Sequence, residues 1–206
     1  MVPLRFNKLP SSEQNASNYL KDRINNSFFM NPLSKEEISK AINKLKYNGK
    51  SSKTVSTTVL KDISNKLSEI LMFLLNFCIS DGYFPNELKI GCITPIYKNS
   101  SKSDIKNYRP VCSLSPFSKI FERIIYNRMI VFIDNNNILS SNQFGFRKGL
   151  STESAIIQFI DKIHNGLNKR HHTIAVFMDL SKAFDVMDHN ILEKKLDHYG
   201  FRRQIS

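Results

Sequence analysis

Residues 175–189, AVFMDLSKAFDVMDH, begin as an apolar run and change to a polar one at Asp179. From Ile174 to Met178 every residue is apolar, which is typical of a strand covered on both faces of a sheet. A carboxylate that ends such a strand lies at the rim of the sheet, where catalytic groups are commonly presented. Asp179 is therefore a candidate ligand for a hard cation such as Mg²⁺, although on spacing alone an aspartate after a strand is more often a turn or cap residue.

The chain is strongly basic. Its 206 residues include 30 Lys and Arg against 18 Asp and Glu, which gives a formal net charge of +12. Such an excess favours a polyanionic partner, above all nucleic acid. A biased base composition of the gene would also raise the lysine content, so charge alone does not decide between a binding surface and a compositional effect.

The first residues have no long apolar core behind their charge, so they do not predict a secretory signal. The longest apolar stretch is far shorter than the roughly 20 residues that a membrane-spanning helix needs. Three scattered cysteines without a Cys-x-x-Cys spacing predict neither a disulfide framework nor a zinc site. We expect an intracellular protein of the cytoplasm or nucleus that is not secreted and makes no contact with a membrane.

Helices and strands are mixed without a strict alternation, which predicts an α+β fold. Capping residues followed by apolar residues at helical spacing predict helices that begin at Ser34, Ser115 and Ser151, and a short last helix capped by Asp188 or Asn190. Residues 60–77 predict a longer helix whose broad apolar face implies deep burial. Residues 88–98 predict a strand that is bent or at a sheet edge, and residues 174–179 a buried one.

Four stretches in a fixed order resemble the reverse transcriptases of non-long-terminal-repeat (LINE-like) retrotransposons. FMDLSKAFDVMDH, residues 177–189, resembles the first catalytic motif of that family. The others are FPNELKIGCITPIYK (84–98), NYRPVCSLSPFSKIFERIIYNRM (107–129) and NQFGFRKGLST (142–152). Together with a weaker match from Phe28 onward, the resemblance covers most of the chain, and four ordered motifs are far more specific than one.

The resemblance implies the fingers and part of the palm of a right-hand polymerase, truncated. We expect a linker or upstream remnant over residues 1–33, a fingers-like region over 34–172, and the start of the palm over 173–206. The implied activity is RNA-directed DNA polymerisation, in which a primer 3′-hydroxyl attacks the α-phosphate of a deoxynucleotide. The implied partners are an RNA template, a DNA primer, deoxynucleoside triphosphates, and the palm and thumb missing from this chain.

The same resemblance assigns roles around the first catalytic motif. Asp179 corresponds to the first metal-binding aspartate, and the backbone carbonyl of Leu180 lies beside the same ion. Phe184 corresponds to the bulky residue against the sugar of the incoming nucleotide, where a ring leaves no room for the 2′-hydroxyl that distinguishes RNA precursors from DNA precursors. Without the neighbouring motif, Phe184 would be interpreted as an anchor of the turn in the core.

Basic residues of two other motifs correspond to substrate contacts. Arg109 corresponds to the fingers arginine that meets the triphosphate, and a planar guanidinium can hold phosphate oxygens through two donors. Lys98 lies in the same region, with a solvated surface charge as an equal alternative. The loop with Gln143, Arg147 and Lys148 corresponds to a motif near the template strand, where cations suit backbone phosphates. The phenylalanines of that loop are equally interpreted as core anchors.

The sequence departs from the family pattern in two places. Residues 51–57, SSKTVST, contain neither the glycine nor the aspartate that relatives carry there, so no template contact is assigned to them. No two aspartates are adjacent, whereas the family places an aromatic-Ala-Asp-Asp turn further along the palm. Asp185 and Asp188 are expected to start the next turn and helix. The two-metal Mg²⁺ site is thus expected to be incomplete, and the chain alone to be inactive.

A second class of function fits the charge as well, namely a nucleic-acid-binding module without catalysis, either decayed or repurposed. The two hypotheses differ in their response to substitution. If only binding survives, Asp179→Asn leaves the affinity for an RNA–DNA duplex the same or slightly better, whereas changing Arg147 or Lys148 weakens it and flattens its salt dependence.

Overall fold

The computed structural model describes residues 20–46, 55–99, 101–180, 183–184 and 186–202. The chain divides into two compact units, one formed by Phe29–Val131 and the other by Met1–Phe28 together with Phe132–Ser206. The predicted end of the first helix at Asn48-Gly49, most of the loop 51–57, the first part of the predicted linker and Asp185 lie outside the described residues. The predicted boundary between fingers-like region and palm stays a prediction.

The described residues contain six α-helices and one two-stranded antiparallel sheet. The helices are α1 (Lys35–Asn43), α2 (Thr57–Asp62), α3 (Ser64–Ser80), α4 (Pro116–Asn135), α5 (Thr152–Asn168) and α6 (His189–His198). The strands are β1 (Gly91–Tyr97) and β2 (Tyr108–Leu114), each preceded by a short 3₁₀ turn, Asn86–Lys89 and Ile105–Asn107. The mixed helix and strand content that the sequence predicts is confirmed.

Four predicted helix starts are confirmed by side-chain caps, among them Ser115, whose Oγ accepts a hydrogen bond from the amide of Ser118 at 3.1 Å. Ser34 Oγ accepts a hydrogen bond from the amide of Glu37 at 3.2 Å, and Ser151 Oγ accepts one from Ser154 at 3.3 Å. Asp188 Oδ1 caps α6 by accepting from Asn190 at 2.8 Å. Each cap satisfies an amide that has no partner within its helix, which is why a local sequence signal is enough to place the helix start.

The core lies in the Phe29–Val131 unit, where α1, α3 and α4 pack together. Its buried side chains come mainly from one face of α1 and one face of α4, with contributions from α2 and α3: Leu33, Ile38, Ala41, Ile42, Leu60, Leu71, Leu75, Ile120, Phe121 and Ile124. Phe84 adds a ring stacked on Phe121, with centroids 5.1 Å apart. This core fixes the position of α4.

The predicted long helix over residues 60–77 is wrong in two respects. The backbone leaves helical geometry at Ile63 (φ −95°, ψ 11°), so that α2 and α3 are separate helices. Deep burial is found for only part of the predicted face: Leu60 and Leu71 are buried, whereas Ile70, Leu74 and Phe77 are at least half exposed. Periodicity indicates which residues share a face, but a second element must cover that face before it is buried.

An ion pair joins α1 to α4 within the same unit. Arg128 donates from Nε to Glu37 Oε1 at 2.9 Å and from Nη2 to Glu37 Oε2 at 2.6 Å. The guanidinium also donates to the backbone carbonyls of Asn31 and Pro32. It therefore ties α4 both to the first turn of α1 and to the segment that leads into that helix.

In the other unit, the segment before Phe29 packs on α6 and on the end of α4. The rings of Phe28, Phe132 and Phe201 form a cluster with centroid distances of 5.0 to 5.6 Å. Gly200 has a φ of +91°, and a Cβ there would run into the carbonyl oxygen of Asn26 and lie 3.0 Å from Phe132 Cζ. Only glycine combines this backbone conformation with so close an approach.

Helix α5 is at the predicted position, but its predicted inward residues are not buried. Ile156, Ile160 and Leu167 are exposed, and α5 contributes no buried residue.

Within the described part of the chain, no helix has the length and apolar character required to cross a bilayer.

Candidate nucleotide and nucleic-acid site

Strand β2 was not expected from the sequence, and it fixes where Arg109 lies. The register pairs Ile96 with Arg109 and Tyr97 with Tyr108. The amide of Lys98 donates to the carbonyl of Asn107 at 2.8 Å, which continues the ladder by one residue beyond β1. Since side chains alternate between faces with a period of two, Lys98 and Arg109 lie on the same face as diagonal neighbours.

The register of the hairpin explains why each of its strands tolerates a proline. Pro95 lies opposite Pro110. Because hydrogen-bonded and non-hydrogen-bonded pairs alternate along an antiparallel ladder, the bond from Lys98 to Asn107 places the prolines at a non-hydrogen-bonded pair. Neither missing amide hydrogen therefore breaks the ladder. The two prolines are 15 residues apart in sequence, and only the register shows that they lie opposite each other.

The opposite face of the hairpin holds the connecting loop in place. The rings of Tyr97 and Tyr108 are 5.5 Å apart, and the Tyr108 hydroxyl donates to the carbonyl of Lys102 at 2.9 Å. The Lys102 ammonium lies 5.9 Å from the centre of the Tyr97 ring, in the range of a cation–π contact. These contacts leave the face with Lys98 and Arg109 open to solvent.

Two residues that are predicted to contact the template donate hydrogen bonds within their own loop. Arg147 donates from Nη1 to the carbonyl of Ser140 at 3.2 Å, and Gln143 donates from Nε2 to the carbonyl of Gly145 at 3.3 Å. Lys148 is exposed. Arg147 thus has a structural role in the loop, whereas Lys148 presents its charge to solvent.

The predicted buried strand around Asp179 is wrong in this structure. Residues 171–180 form neither helix nor strand, and Ile174, Phe177 and Met178 are 87%, 83% and 89% exposed. A strand requires a hydrogen-bonded neighbour, and no described residue pairs with this segment as a strand. Asp179 and Leu180 are accordingly exposed, and Asp179 does not lie at the rim of a sheet.

Aromatic contacts hold this segment and the turn that follows it. The Phe177 ring lies 5.8 Å from that of Phe159 on α5. The Phe184 ring lies 6.4 Å from that of Phe146 in an edge-to-face arrangement. The structure therefore brings Phe184 to the loop with Gln143, Arg147 and Lys148, a contact that no sequence pattern indicates.

The described residues do not by themselves make a magnesium site. They contain no group of three or more His, Cys, Asp or Glu side chains placed to hold a metal ion. Asp188, the nearest described aspartate in sequence, is used as the cap of α6.

The predicted site residues are divided between the two units. Lys98 and Arg109 lie together on the hairpin of one unit. The remaining predicted residues belong to the other unit: Gln143, Arg147, Lys148, Asp179, Leu180 and Phe184. Within that second group, the ring contact between Phe184 and Phe146 joins the template loop to the turn after Asp179.

Comparison with known proteins identifies the class. Residues 96–206 match the family described as reverse transcriptase (RNA-dependent DNA polymerase). Since the match covers more than half of the 206 residues, the chain belongs to the reverse transcriptase family. All the predicted site residues lie within the matched range.

The relatives are polymerases of retrotransposons, which confirms the resemblance to the non-long-terminal-repeat type. The chain is 30% identical over 167 residues to a probable RNA-directed DNA polymerase from transposon BS of Drosophila melanogaster, covering 80% of this chain and 18% of that protein. It is 27% identical over 143 residues to the probable polymerase from transposon X-element of the same fly, covering 69% and 16%.

The mobile element jockey of Drosophila melanogaster provides the third comparison. Its RNA-directed DNA polymerase is 25% identical over 187 residues, covering 89% of this chain and 20% of that protein. The chain thus spans a fifth or less of the length of these three relatives.

Proposed function

We propose that this chain is the part of a retrotransposon RNA-directed DNA polymerase that meets the incoming nucleotide and the template. The observation that supports this most is the family match over residues 96–206, which contains every site residue assigned from the sequence. The reaction is nucleotidyl transfer: the primer 3′-hydroxyl attacks the α-phosphorus of a deoxynucleoside triphosphate, forming a phosphodiester bond and releasing pyrophosphate. Because the template is RNA, we expect the reaction to take place inside the cell, in the cytoplasm or nucleus.

Arg109 and Lys98 are proposed to bind the triphosphate. Their positions on one face of the hairpin support this role, because two adjacent cations can contact neighbouring phosphates. Among the described residues, neither side chain forms an ion pair or a side-chain hydrogen bond. Arg109 is anchored within β2, whereas Lys98 follows the end of β1, so Arg109 offers the better-ordered donor.

Phe184 is proposed to lie against the sugar and to exclude a 2′-hydroxyl. Gln143, Arg147 and Lys148 are proposed to contact the template, with Lys148 providing the charge that faces solvent. The contact of Phe184 with Phe146 supports a common surface for nucleotide and template. A substitution in the template loop is then expected to affect nucleotide selection as well.

Asp179 is proposed as the first carboxylate ligand of Mg²⁺ in a longer polymerase. Its exposure leaves the carboxylate available for such a role. Mg²⁺ needs several oxygen ligands, and the other carboxylates are proposed to come from the remainder of the polymerase. The short fraction of each relative that this chain covers supports that view.

The decisive experiment tests Asp179 in a complete polymerase. This chain replaces the matching segment of the jockey polymerase, and primer extension on an RNA template is measured with deoxynucleotides. Asp179→Asn removes the charge with almost no change in volume, and we expect extension to fall by about three orders of magnitude or more, as for loss of a group that stabilises the transition state.

The matched control is Asp161→Asn, which changes an exposed aspartate on α5 in the same unit. This control is expected to retain the extension rate of the unsubstituted chimera. Extension that survives Asp179→Asn contradicts the assignment of the metal ligand and leaves nucleic-acid binding without catalysis as the function of this chain.

A further inference from the structure

A second group of basic side chains lines a cavity that includes none of the residues assigned above. The Phe29–Val131 unit contains an open cavity of about 610 Å³ between the end of α1 and one face of α4. Its charged lining consists of four cations and one acid: Lys44, Lys46, Lys119, Arg123 and Glu122. The cavity therefore carries a net charge of +3 at neutral pH, from four positive groups and one negative.

Helix α4 presents its share of the lining as a single stripe. Lys119, Arg123 and Tyr126 are four and three residues apart, which places them on one face of a helix. The adjacent face of α4 carries Ile120 and Ile124, both fully buried in the core. The basic stripe is thus fixed on a rigid element, so little conformational entropy is lost when a ligand binds.

The cations of the cavity are available for a ligand. Among the described residues, none of Lys44, Lys46, Lys119 and Arg123 forms an ion pair or a side-chain hydrogen bond. By contrast, Lys35 and Arg128 on the same two helices are paired with Glu69 and Glu37, respectively. Four like charges around one cavity repel each other, and an anionic ligand would relieve that repulsion.

Tyr126 gives the cavity a second chemical property. Its side chain is 51% exposed at the cavity, so a ring face is available to another planar group. Aromatic rings beside a basic groove are the arrangement by which proteins hold single-stranded nucleic acid, since bases stack on the ring while cations contact the phosphates. An acidic peptide would use the charges but would gain little from the ring.

We propose that this cavity binds a segment of single-stranded RNA, with backbone phosphates on Lys44, Lys46, Lys119 and Arg123 and a base stacked on Tyr126. That the bound strand is RNA rests on the proposed polymerase function. That the cavity binds a single strand rests only on its charges and on Tyr126. The cavity extends the RNA-contacting surface to helices that precede the family match, which begins at residue 96, and to the first part of α4.

The test measures binding of a fluorescein-labelled oligouridylate to the 206-residue chain by anisotropy, between about 50 and 200 mM salt. The variant Lys119→Ala/Arg123→Ala is compared with Lys40→Ala/Lys66→Ala, which removes the same charge from exposed helical positions outside the cavity. The cavity variant is expected to bind roughly tenfold more weakly, and the slope of log affinity against log salt is expected to fall by about 1.4, or about 0.7 for each lost phosphate contact. The control is expected to keep both values close to those of the unsubstituted chain.

Two further measurements make the test specific to a strand. Tyr126→Ala is expected to weaken binding several-fold, while Tyr126→Phe keeps the ring and the affinity. Uridine monophosphate is expected to compete poorly, because one phosphate meets only part of the cationic lining. Equal losses in the cavity variant and its control, or competition by the mononucleotide as strong as by the oligonucleotide, would overturn the proposal.

The four substituted cations are all exposed, so these variants are expected to keep the circular dichroism of the parent chain. The outcome is independent of the primer-extension test. Asp179 does not line the cavity, and RNA binding by this chain is measured without catalysis, so the two proposals can fail separately.

Discussion

Phe184 is 76% exposed, and its ring makes an edge-to-face contact with that of Phe146. An aromatic pair of this geometry contributes roughly 0.5 to 1.5 kcal/mol beyond simple burial. This is enough to favour one orientation of Phe184 while leaving the other ring surface open. A side chain held in this way can act as a steric barrier to a sugar substituent.

The residue-scale prediction concerns the choice between sugars. In the jockey chimera, Phe184→Ala is expected to raise incorporation of ribonucleotides relative to deoxynucleotides by about two orders of magnitude, because the space for a 2′-hydroxyl is opened. The measurement is the ratio of kcat/KM for the two substrates. Phe184→Tyr keeps the ring and is the matched control, and an unchanged ratio in Phe184→Ala would show that this ring does not face the sugar.

At the scale of elements, the ion pair between α1 and α4 differs from an ordinary surface pair. Arg128 donates from Nε and Nη2, one edge of its guanidinium, to both carboxylate oxygens of Glu37, and the two side chains are 20% and 27% exposed. The pair Lys35–Glu69 is formed at 2.7 Å by side chains that are 34% and 49% exposed. Lys35 nevertheless lowers the pKa of Glu69, first through the hydrogen bond and then through its charge.

We expect Arg128→Met to lower the free energy of unfolding by about 2 kcal/mol, since it leaves a half-buried carboxylate and two backbone carbonyls without their donor. Lys35→Met removes the same charge from α1 and is expected to lower the free energy of unfolding far less, as exposed pairs contribute little. Urea unfolding followed by circular dichroism measures both. Equal losses in the two variants would mean that the contacts of Arg128 add nothing beyond its charge.

Considering the molecule as a whole, residues 174–180 form an exposed segment that is apolar except for Asp179. Five of these seven residues are large, apolar and exposed: Ile174, Val176, Phe177, Met178 and Leu180. Within the described part of the chain, no strand pairs with their backbone. An extended apolar segment with unpaired backbone groups is a template for association between chains.

The purified chain is therefore expected to elute ahead of a monomer in size-exclusion chromatography at micromolar concentration. Val176→Ser/Met178→Ser is expected to shift it towards the monomer without touching the contact of Phe177 with Phe159. The control Ile90→Ser/Ile105→Ser changes two equally exposed but isolated side chains and should leave the elution unchanged. A monomeric parent chain, or equal effects of the two variants, would refute this account of association.

Local sequence was enough to define the starts of the capped helices and to identify the family. Ser34, Ser151 and Asp188 each cap a helix through amides two or three residues away, so the relevant physics is local. The ordered motifs likewise identified the reverse transcriptase family and the positions of the candidate site residues before any geometry was known. That the chain mixes helices and strands also followed from patterns a few residues long.

Contacts between distant parts of the chain set which segments became strands and which faces became buried. The register that sets Lys98 beside Arg109 joins residues of two strands, and residues 174–179 have strand composition without a paired neighbour. The cavity cations of α1 and α4 were likewise unremarkable in the sequence until the core brought the two helices together. The physical reason is that a cap is satisfied within one turn of backbone, whereas a sheet ladder, a buried face or a charged cavity needs a partner distant in sequence.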